Sequence, residues 1–127
     1  MEAHPSIPEF ENAPVLDALL LSEARSVMKA KFPQMVDYFI EDTQSYINYI
    51  EKALADNNTE ALIPPAHTAK SSSRQMGAMR LSLIAKAIEL EARDAVSLKK
   101  DPQSIDALLS HMKVAFTQTR EAFTQVA

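Results

Sequence analysis

The stretch "PPAHTAKSSSRQMGA", residues 64–78, is the part of the chain on which the fold depends. Two prolines, three consecutive serines and the only glycine of the chain, Gly77, are typical of a loop. The segments on both sides nevertheless carry apolar residues at helical spacing. Inside the stretch, His67 and Lys70 stand one helical turn apart. We therefore interpret the stretch as a helix whose two faces differ in character.

One face of this helix is suited to packing and the other to chemistry. At about 100° per residue, His67, Lys70, Ser71 and Arg74 share the solvent face, and no Asp or Glu of the same helix stands beside them. Nearby cations favour a neutral, nucleophilic ring and stabilise an anionic group placed on it. We expect His67 to be exposed and to carry a phosphoryl group that it hands on. The packing face carries small or apolar residues: Pro65, Ala69, Ser72, Ser73, Met76 and Met79.

Amphipathic helices are predicted along most of the chain. Apolar stripes indicate helices over about 15–29, from Pro33 to about Leu54, over about 81–95 and from the "KKDP" segment to Phe123. We expect Thr59 or a neighbouring Asn to cap the helix that contains His67, and that helix to start at residues 63–65 or to kink there. In the last helix, Asp101 is the expected N-cap and Pro102 the first residue.

These helices predict one all-α domain. Short connections between long amphipathic helices imply antiparallel neighbours, hence an up-down four-helix bundle with an additional short N-terminal helix. We assign residues 1–14 to a flexible N-terminal arm and residues 15–127 to the bundle. The 127 residues suffice for a single core.

Composition excludes several classes of function. The chain has no cysteine, which removes disulfides and cysteine catalysis, and its net charge of -4 offers no basic footprint for nucleic acid. No apolar run has the length of a membrane span, and the N-terminus lacks the pattern of a secretory signal, so we expect a cytoplasmic protein. His4 and His111 lack companions at ligand spacing, and Glu-x-x-His pairs are missing, so no metal site is predicted.

The stretch "AHTAKSSSRQMGA" resembles the signature of histidine-containing phosphotransfer (HPt) domains, commonly written A-H-T-L-K-G-S-S-A-N-L-G-A. The resemblance extends over nearly the whole chain, from about Val15 to the C-terminus. The following run "LSLIAKAIELEAR" is similar to the next helix of the family and places Glu89 where a glutamate is frequent. The positions that match in register are His67, Thr68, Lys70, Ser72, Ser73, Gly77 and Ala78.

The resemblance implies a phosphorelay role. It implies phosphorylation of His67 on Nε2, with Lys70 assisting the phosphoryl group; Arg74 is a candidate for electrostatic support. The implied partners are receiver domains of response regulators and of a hybrid sensor histidine kinase, acting on a separate, monomeric shuttle. Such a phosphocarrier needs no cofactor and has no ATP-dependent kinase activity. The Mg²⁺ that transfer requires belongs to the receiver.

Partner contacts are expected around His67. Ser71 stands where the family usually has glycine, and we expect it to lie at the centre of the receiver contact and to change partner preference or rate. Leu16, Leu20 and Phe32 are the apolar candidates for docking, although all three also suit the core. Gly77 is expected to serve close packing, and Glu89 a structural or solvated position.

A non-enzymatic interpretation remains open. Ser71 and the paired prolines also suit a helical adaptor that binds a signalling partner without phosphotransfer. Exposed Lys70 and Arg74 are, on this interpretation, ordinary surface cations. Incubation with a phosphorylated receiver, followed by a search for acid-labile label on His67, distinguishes the two functions.

Overall fold

The protein is a bundle of helices. The structure, a computed structural model, describes residues 4–126. The fold confirms the predicted all-α up-down four-helix bundle with an N-terminal addition. A 3₁₀ turn, Lys29–Lys31, joins the second and third helices. The helices are α1 (Ile7–Asn12), α2 (Ala18–Met28), α3 (Phe32–Ala55), α4 (Thr59–Gln75), α5 (Met79–Ser97) and α6 (Ile105–Val126).

The four long helices enclose one apolar core. Helix α4 packs on α3 and α5, and α6 closes the bundle by packing on α5 and α3. Helix α2 lies against α3 and α4, and α1 against α5. Within residues 4–126, no helix combines the length and apolar character needed to cross a membrane. Fully buried core side chains include Phe10, Ile50, Leu62, Leu81, Ile84, Ile88, Met112 and Phe123.

Helix α4 begins at Thr59 and continues through both prolines, so the alternative of a start at residues 63–65 is wrong. One of the expected caps is present: Asn58 accepts a hydrogen bond from the amide of Ala61 at 3.2 Å. The prolines are the sixth and seventh residues of the helix. Because proline has no N–H, the two carbonyls four residues earlier lose their usual donors, and both lie in the first turn. The backbone around His67 therefore lies beyond the interruption.

Helix α6 starts later than we expected. Asp101 and Pro102 do not begin it, because the first helical residue is Ile105. The amide of Gln103 donates instead to a carboxylate oxygen of Glu91 on α5 at 2.6 Å. This contact holds the connection against α5, so the chain turns into α6 only after it.

The N-terminal segment is part of the packed structure, which corrects the expectation of a flexible arm over residues 1–14. Residues 1–3 lie outside the described residues. In residues 4–14, the side chain of Phe10 is 1% exposed and its ring meets the ring of His111 edge-on, with centroids 5.3 Å apart. A phenylalanine buried in this way anchors the segment to the bundle by the hydrophobic effect.

Polar contacts fix the same segment at both ends. Ser6 and Glu9 form a reciprocal capping box at the start of α1, a Ser-x-x-Glu pattern that the sequence displays. At the other end, the guanidinium of Arg80 donates to the carbonyls of Glu11 and Ala13 at 2.9–3.0 Å. The segment therefore supports the start of α5, where Arg80 lies.

Gly77 permits the close approach of α2 to the end of α4. Its φ of 81° lies in the left-handed region that favours glycine. Its carbonyl accepts a hydrogen bond from the amide of Asp17 at 2.7 Å. A Cβ atom at this position would lie 2.9 Å from the backbone nitrogen of Leu21. Gly77 is thus required by packing and by backbone conformation together.

Replacing Gly77 should weaken the fold. We expect Gly77→Ala to lower the free energy of unfolding by about 2–3 kcal/mol, because the methyl group meets backbone and the residue must keep a positive φ. Urea unfolding measures the loss. Ser26→Ala, on the exposed face of α2, should change stability by less than about 0.5 kcal/mol. Equal stability of the two variants would show that α2 does not need this close approach.

Candidate functional site

The site is built around His67, which lies beyond the prolines on the solvent face of α4. Its side chain is 53% exposed, yet its Nδ1 atom is 2.8 Å from Oε2 of Glu89. Glu89 lies on α5 and is only 4% exposed. The sequence places no Asp or Glu of the same helix beside His67, and the carboxylate that contacts it comes instead from the helix packed alongside.

Glu89 is a buried carboxylate that binds three positively polarised groups, so it is neither solvated nor merely a packing residue. Besides the His67 ring, Lys70 Nζ lies 2.7 Å from its Oε1 atom and Arg93 Nε donates to Oε2 at 2.9 Å. Burial alone would raise the pKa of Glu89. The hydrogen bonds from Lys70, His67 and Arg93, together with the charge of Lys70, lower that pKa to about 2. Glu89 is therefore ionised at neutral pH.

This ionised carboxylate determines how the His67 ring presents its nitrogens. A carboxylate only accepts hydrogen bonds, so Nδ1 of His67 must be the donor. In the neutral ring, the lone pair then belongs to Nε2, the nitrogen that is not held by Glu89. The arrangement offers a nucleophilic Nε2 to solvent and fixes the ring orientation.

Glu89 is not placed to act as a base at Nε2. It lies on the Nδ1 side of the ring, and Lys70 and Arg93 already occupy its oxygens. A phosphoryl group on Nε2 would thus have no carboxylate of this site ready to activate an attacking water.

The two predicted cations of α4 have different surroundings. Lys70 is 30% exposed and bound to Glu89, rather than free on the solvent face. Arg74 is exposed, and within residues 4–126 it makes no hydrogen bond or ion pair. Lys70 therefore contributes to the Glu89 cluster, whereas the guanidinium of Arg74 is available to an anionic group.

A cleft of about 400 Å³ between α4 and α5 gathers further cations near the site. Sequence reasoning missed Lys86 and Arg93, which lie on α5 on either side of Glu89. The sequence did contain a signal for this cluster: Glu89 stands among apolar positions of α5, and Arg93 follows it four residues later. The charged lining residues of this cleft are Lys70, Arg74, Lys86, Glu89 and Arg93.

The expected docking residues do not all reach the surface. Phe32 is 5% exposed and packs beside the ring of Phe123, with centroids 6.4 Å apart, so it belongs to the core and cannot contact a partner. Leu16 is half-buried and packs against the core. Leu20 and Ser71 line a second groove, of about 630 Å³, between α2, α3 and α4.

The remaining histidines do not form a metal centre. His4 lies 2.6 Å from Asp94 and 3.6 Å from Glu91, and His111 packs on Phe10. Within the described part of the chain, no three His, Asp or Glu side chains gather in a way that could hold a metal ion.

Comparison with known proteins agrees with this geometry. The sequence matches the model of the family described as "Hpt domain" over residues 34–125. The chain belongs to the Hpt domain family. The crystal structure of histidine-containing phosphotransfer protein B (HptB) from Pseudomonas aeruginosa PAO1 is similar, with a TM-score of 0.80 and 31% sequence identity over 90% of this chain and 95% of that chain. No curated protein matched.

Membership of the Hpt family confirms the resemblance read from residues 66–78. It supports a role for this Hpt domain in histidine phosphotransfer within a phosphorelay. The exposed His67 lies within the matched residues, on the helix that also carries Lys70 and Ser71.

The ionisation of Glu89 should make the free energy of unfolding depend on pH. Its folded-state pKa of about 2 lies below the usual 4.5, so its contribution is complete above pH 4.5 and is lost as the pH falls toward 2. We expect the wild type to lose more free energy of unfolding than Glu89→Gln over this pH range, because glutamine has no charge to lose. Urea unfolding at successive pH values measures the difference.

A second glutamate provides the control for this experiment. Glu121 is exposed on α6 and makes no ion pair within residues 4–126. Glu121→Gln should follow the pH dependence of the wild type. Parallel curves for the wild type and Glu89→Gln would mean that Glu89 is not held ionised by its partners.

Proposed function

We propose that the protein is a phosphorelay intermediate. His67 accepts a phosphoryl group from the phosphoaspartate of a receiver domain, such as that of a hybrid sensor histidine kinase. It passes the group to the aspartate of a response-regulator receiver. The observation that carries the proposal is the 2.8 Å contact between Nδ1 of His67 and Glu89, which leaves Nε2 outward as the nucleophile.

The proposed phosphoryl transfer can be written in full without a cofactor bound to this chain. The Nε2 lone pair attacks phosphorus, the P–O bond of the aspartyl phosphate breaks, and the aspartate leaves as a carboxylate. The ring then bears a proton on Nδ1 and a phosphoryl group on Nε2, and so a positive charge. Glu89 stabilises that charge through the same hydrogen bond. The reverse sequence delivers the group to the next receiver, whose own Mg²⁺ neutralises the phosphoryl oxygens.

Nearby cations complete the electrostatic surroundings of the phosphoryl group. Arg74 lies two helical turns beyond His67 and has no partner within residues 4–126. Lys70 lies one turn beyond and is held by Glu89 at 2.7 Å. We assign Lys70 a shared role, in which its ammonium group stabilises the phosphoryl oxygens while remaining near the carboxylate.

The receiver is proposed to dock on the groove between α2, α3 and α4. This groove borders the His67 face through Ser71 and continues onto exposed apolar side chains of α2, of which Val27 is 81% and Leu19 is 69% exposed. An apolar patch beside the reactive group and bordered by charges is the usual form of a protein interface. Leu20 and Ser71 are the expected docking residues that line this groove.

The phosphoacceptor itself can be tested by substitution. We expect His67→Gln to fold normally, because the side chain is exposed and glutamine can still donate to Glu89. Its labelling by a phosphorylated receiver should fall to background, since no other ring nitrogen occupies this position. The measurement is acid-labile label after incubation with a purified, phosphorylated receiver domain.

His4→Gln is the matched control, because His4 pairs with Asp94 away from this site. It should be labelled like the wild type. Label persisting in His67→Gln would identify a different acceptor. Stable binding of a receiver without any label on the wild type would favour the phosphotransfer-inactive adaptor.

Ser71 tests the docking position. We expect Ser71→Gln to weaken receiver binding by about tenfold, since a longer side chain is inserted at the centre of the contact. Ser71→Gly should bind at least as well as the wild type, although glycine costs helix stability of about 1 kcal/mol. Receiver affinity and transfer rate are measured for both variants.

The same substitution elsewhere on an exposed helix controls for general effects. Ser110 is exposed on α6, and Ser110→Gln should leave receiver binding unchanged. If Ser71→Gln binds as tightly as Ser110→Gln, the receiver docks away from the His67 face.

A further inference from the structure

One oxygen of Glu89, Oε2, is shared by two hydrogen-bond donors. Nδ1 of His67 lies 2.8 Å from this oxygen, and Nε of Arg93 donates to it at 2.9 Å. Nζ of Lys70 lies 2.7 Å from the other oxygen, Oε1. Of Lys70 and Arg93, only Arg93 therefore shares an acceptor atom with the His67 ring.

The position of Arg93 follows from the sequence of α5. Residues four apart on a helix are neighbours, so the side chain of Arg93 reaches back over one turn to Glu89. Glu89 is 4% exposed, whereas the side chain of Arg93 is 51% exposed. A substitution at position 93 therefore alters the charge beside the buried carboxylate without opening a cavity in the core.

A cation bound to Oε2 makes this oxygen a weaker acceptor for His67. Burial raises the pKa of Glu89, but the hydrogen bonds from Lys70, His67 and Arg93 lower it to about 2, so the carboxylate is weakly basic. The nitrogens of His67 and Arg93 that meet at Oε2 are less than about 6 Å apart, a distance at which two positive charges repel each other. Arg93 thus opposes a positive charge on the ring that Glu89 alone would stabilise.

We propose that Arg93 sets how tightly phosphorylated His67 holds its phosphoryl group, acting through the carboxylate oxygen that it shares with the ring. The inference rests on the proposed phosphorelay function and deepens it. Phosphorylation of Nε2 leaves the proton on Nδ1 and a positive charge on the ring. By weakening the stabilisation of that charge, Arg93 raises the free energy of the phosphohistidine and favours onward transfer. In that transfer the P–N bond breaks, a P–O bond to the receiver aspartate forms, and the ring becomes neutral with its proton still on Nδ1.

The coupling between Arg93 and the ring can be tested without a receiver. Arg93→Gln keeps a hydrogen-bond donor for Oε2 and removes the charge, whereas Arg93→Lys keeps the charge. NMR of the full chain in alkaline buffer gives the nitrogen chemical shifts of the His67 ring, which are assigned by their loss in His67→Gln. We expect the Nδ1 resonance to move downfield in Arg93→Gln, because Oε2 becomes a stronger acceptor, and to stay in place in Arg93→Lys.

The ring of His111, on α6, is the internal reference, and its resonances should not move in either variant. Thermal unfolding establishes that the variants are folded. An unchanged Nδ1 resonance in Arg93→Gln would overturn the proposal. Equal movement in Arg93→Gln and Arg93→Lys would overturn it too, since the charge of Arg93 would then not be the cause.

The effect on transfer is measured at equilibrium with a purified receiver domain. We expect Arg93→Gln to raise the equilibrium ratio of phosphohistidine to receiver phosphoaspartate by about fivefold, because the charge that opposes the phosphorylated ring is gone. Arg93→Lys should stay within about twofold of the wild type. A lower ratio in Arg93→Gln would mean that Arg93 supports the phosphoryl group directly, and would refute its action through Glu89.

Lys100→Gln is the matched control, because it removes the same charge from an exposed position beyond the end of α5. Its equilibrium ratio should equal that of the wild type. Equal ratios in Lys100→Gln and Arg93→Gln would attribute the effect to net charge and overturn the proposal.

Labelling of His67 in the wild-type samples separates this inference from the function on which it rests. If a receiver labels His67 and the ratio is the same in the wild type and Arg93→Gln, the role of Arg93 is refuted and the phosphorelay role stands. If no receiver labels His67, the proposed function fails, and the role of Arg93 in transfer fails with it.

Discussion

The buried carboxylate of Glu89 is the constraint on which the site depends. Burying an unpaired charge is strongly unfavourable, so the carboxylate is stable at 4% exposure only while its donors surround it. Those donors come from two helices: His67 and Lys70 from α4, and Arg93 from α5 itself. The electrostatic requirement of one residue thereby fixes the register between α4 and α5 and the orientation of the reactive ring.

The fold could be predicted from the sequence because its signals are local. Apolar spacing located the long helices, and the cap of α4 at Asn58 was among the expected positions. The prediction failed where a distant residue competes with a local signal. Asp101 and Pro102 look like a helix start, but the amide of Gln103 binds Glu91 of the preceding helix. The N-terminal segment looked like an arm because its proline-rich composition hides its buried aromatic anchor, Phe10.

The site was predicted in part, for the same physical reason. His67, Lys70 and Arg74 share one helix face, so periodicity alone brings them together. Glu89 is 22 residues from His67 along the chain, and nothing in their spacing shows that the two side chains touch. How deeply a side chain is buried also depends on residues that are distant in the sequence. Phe32, at the start of α3, is buried in the core against Phe123. Pairing across helices had to come from the three-dimensional structure.

The N-terminal contacts also separate the recognised family segment from the folding unit. The family match begins at residue 34, after α1 and α2. A fragment cut at that boundary would lack Phe10 and the carbonyl partners of Arg80. It would also lack α2, whose backbone packs against Gly77 at the end of α4. Apolar surface of α4 and α5 would then face water, as in a protein prone to aggregate. Expression boundaries for this chain therefore need to include α1, although the family match begins only at residue 34.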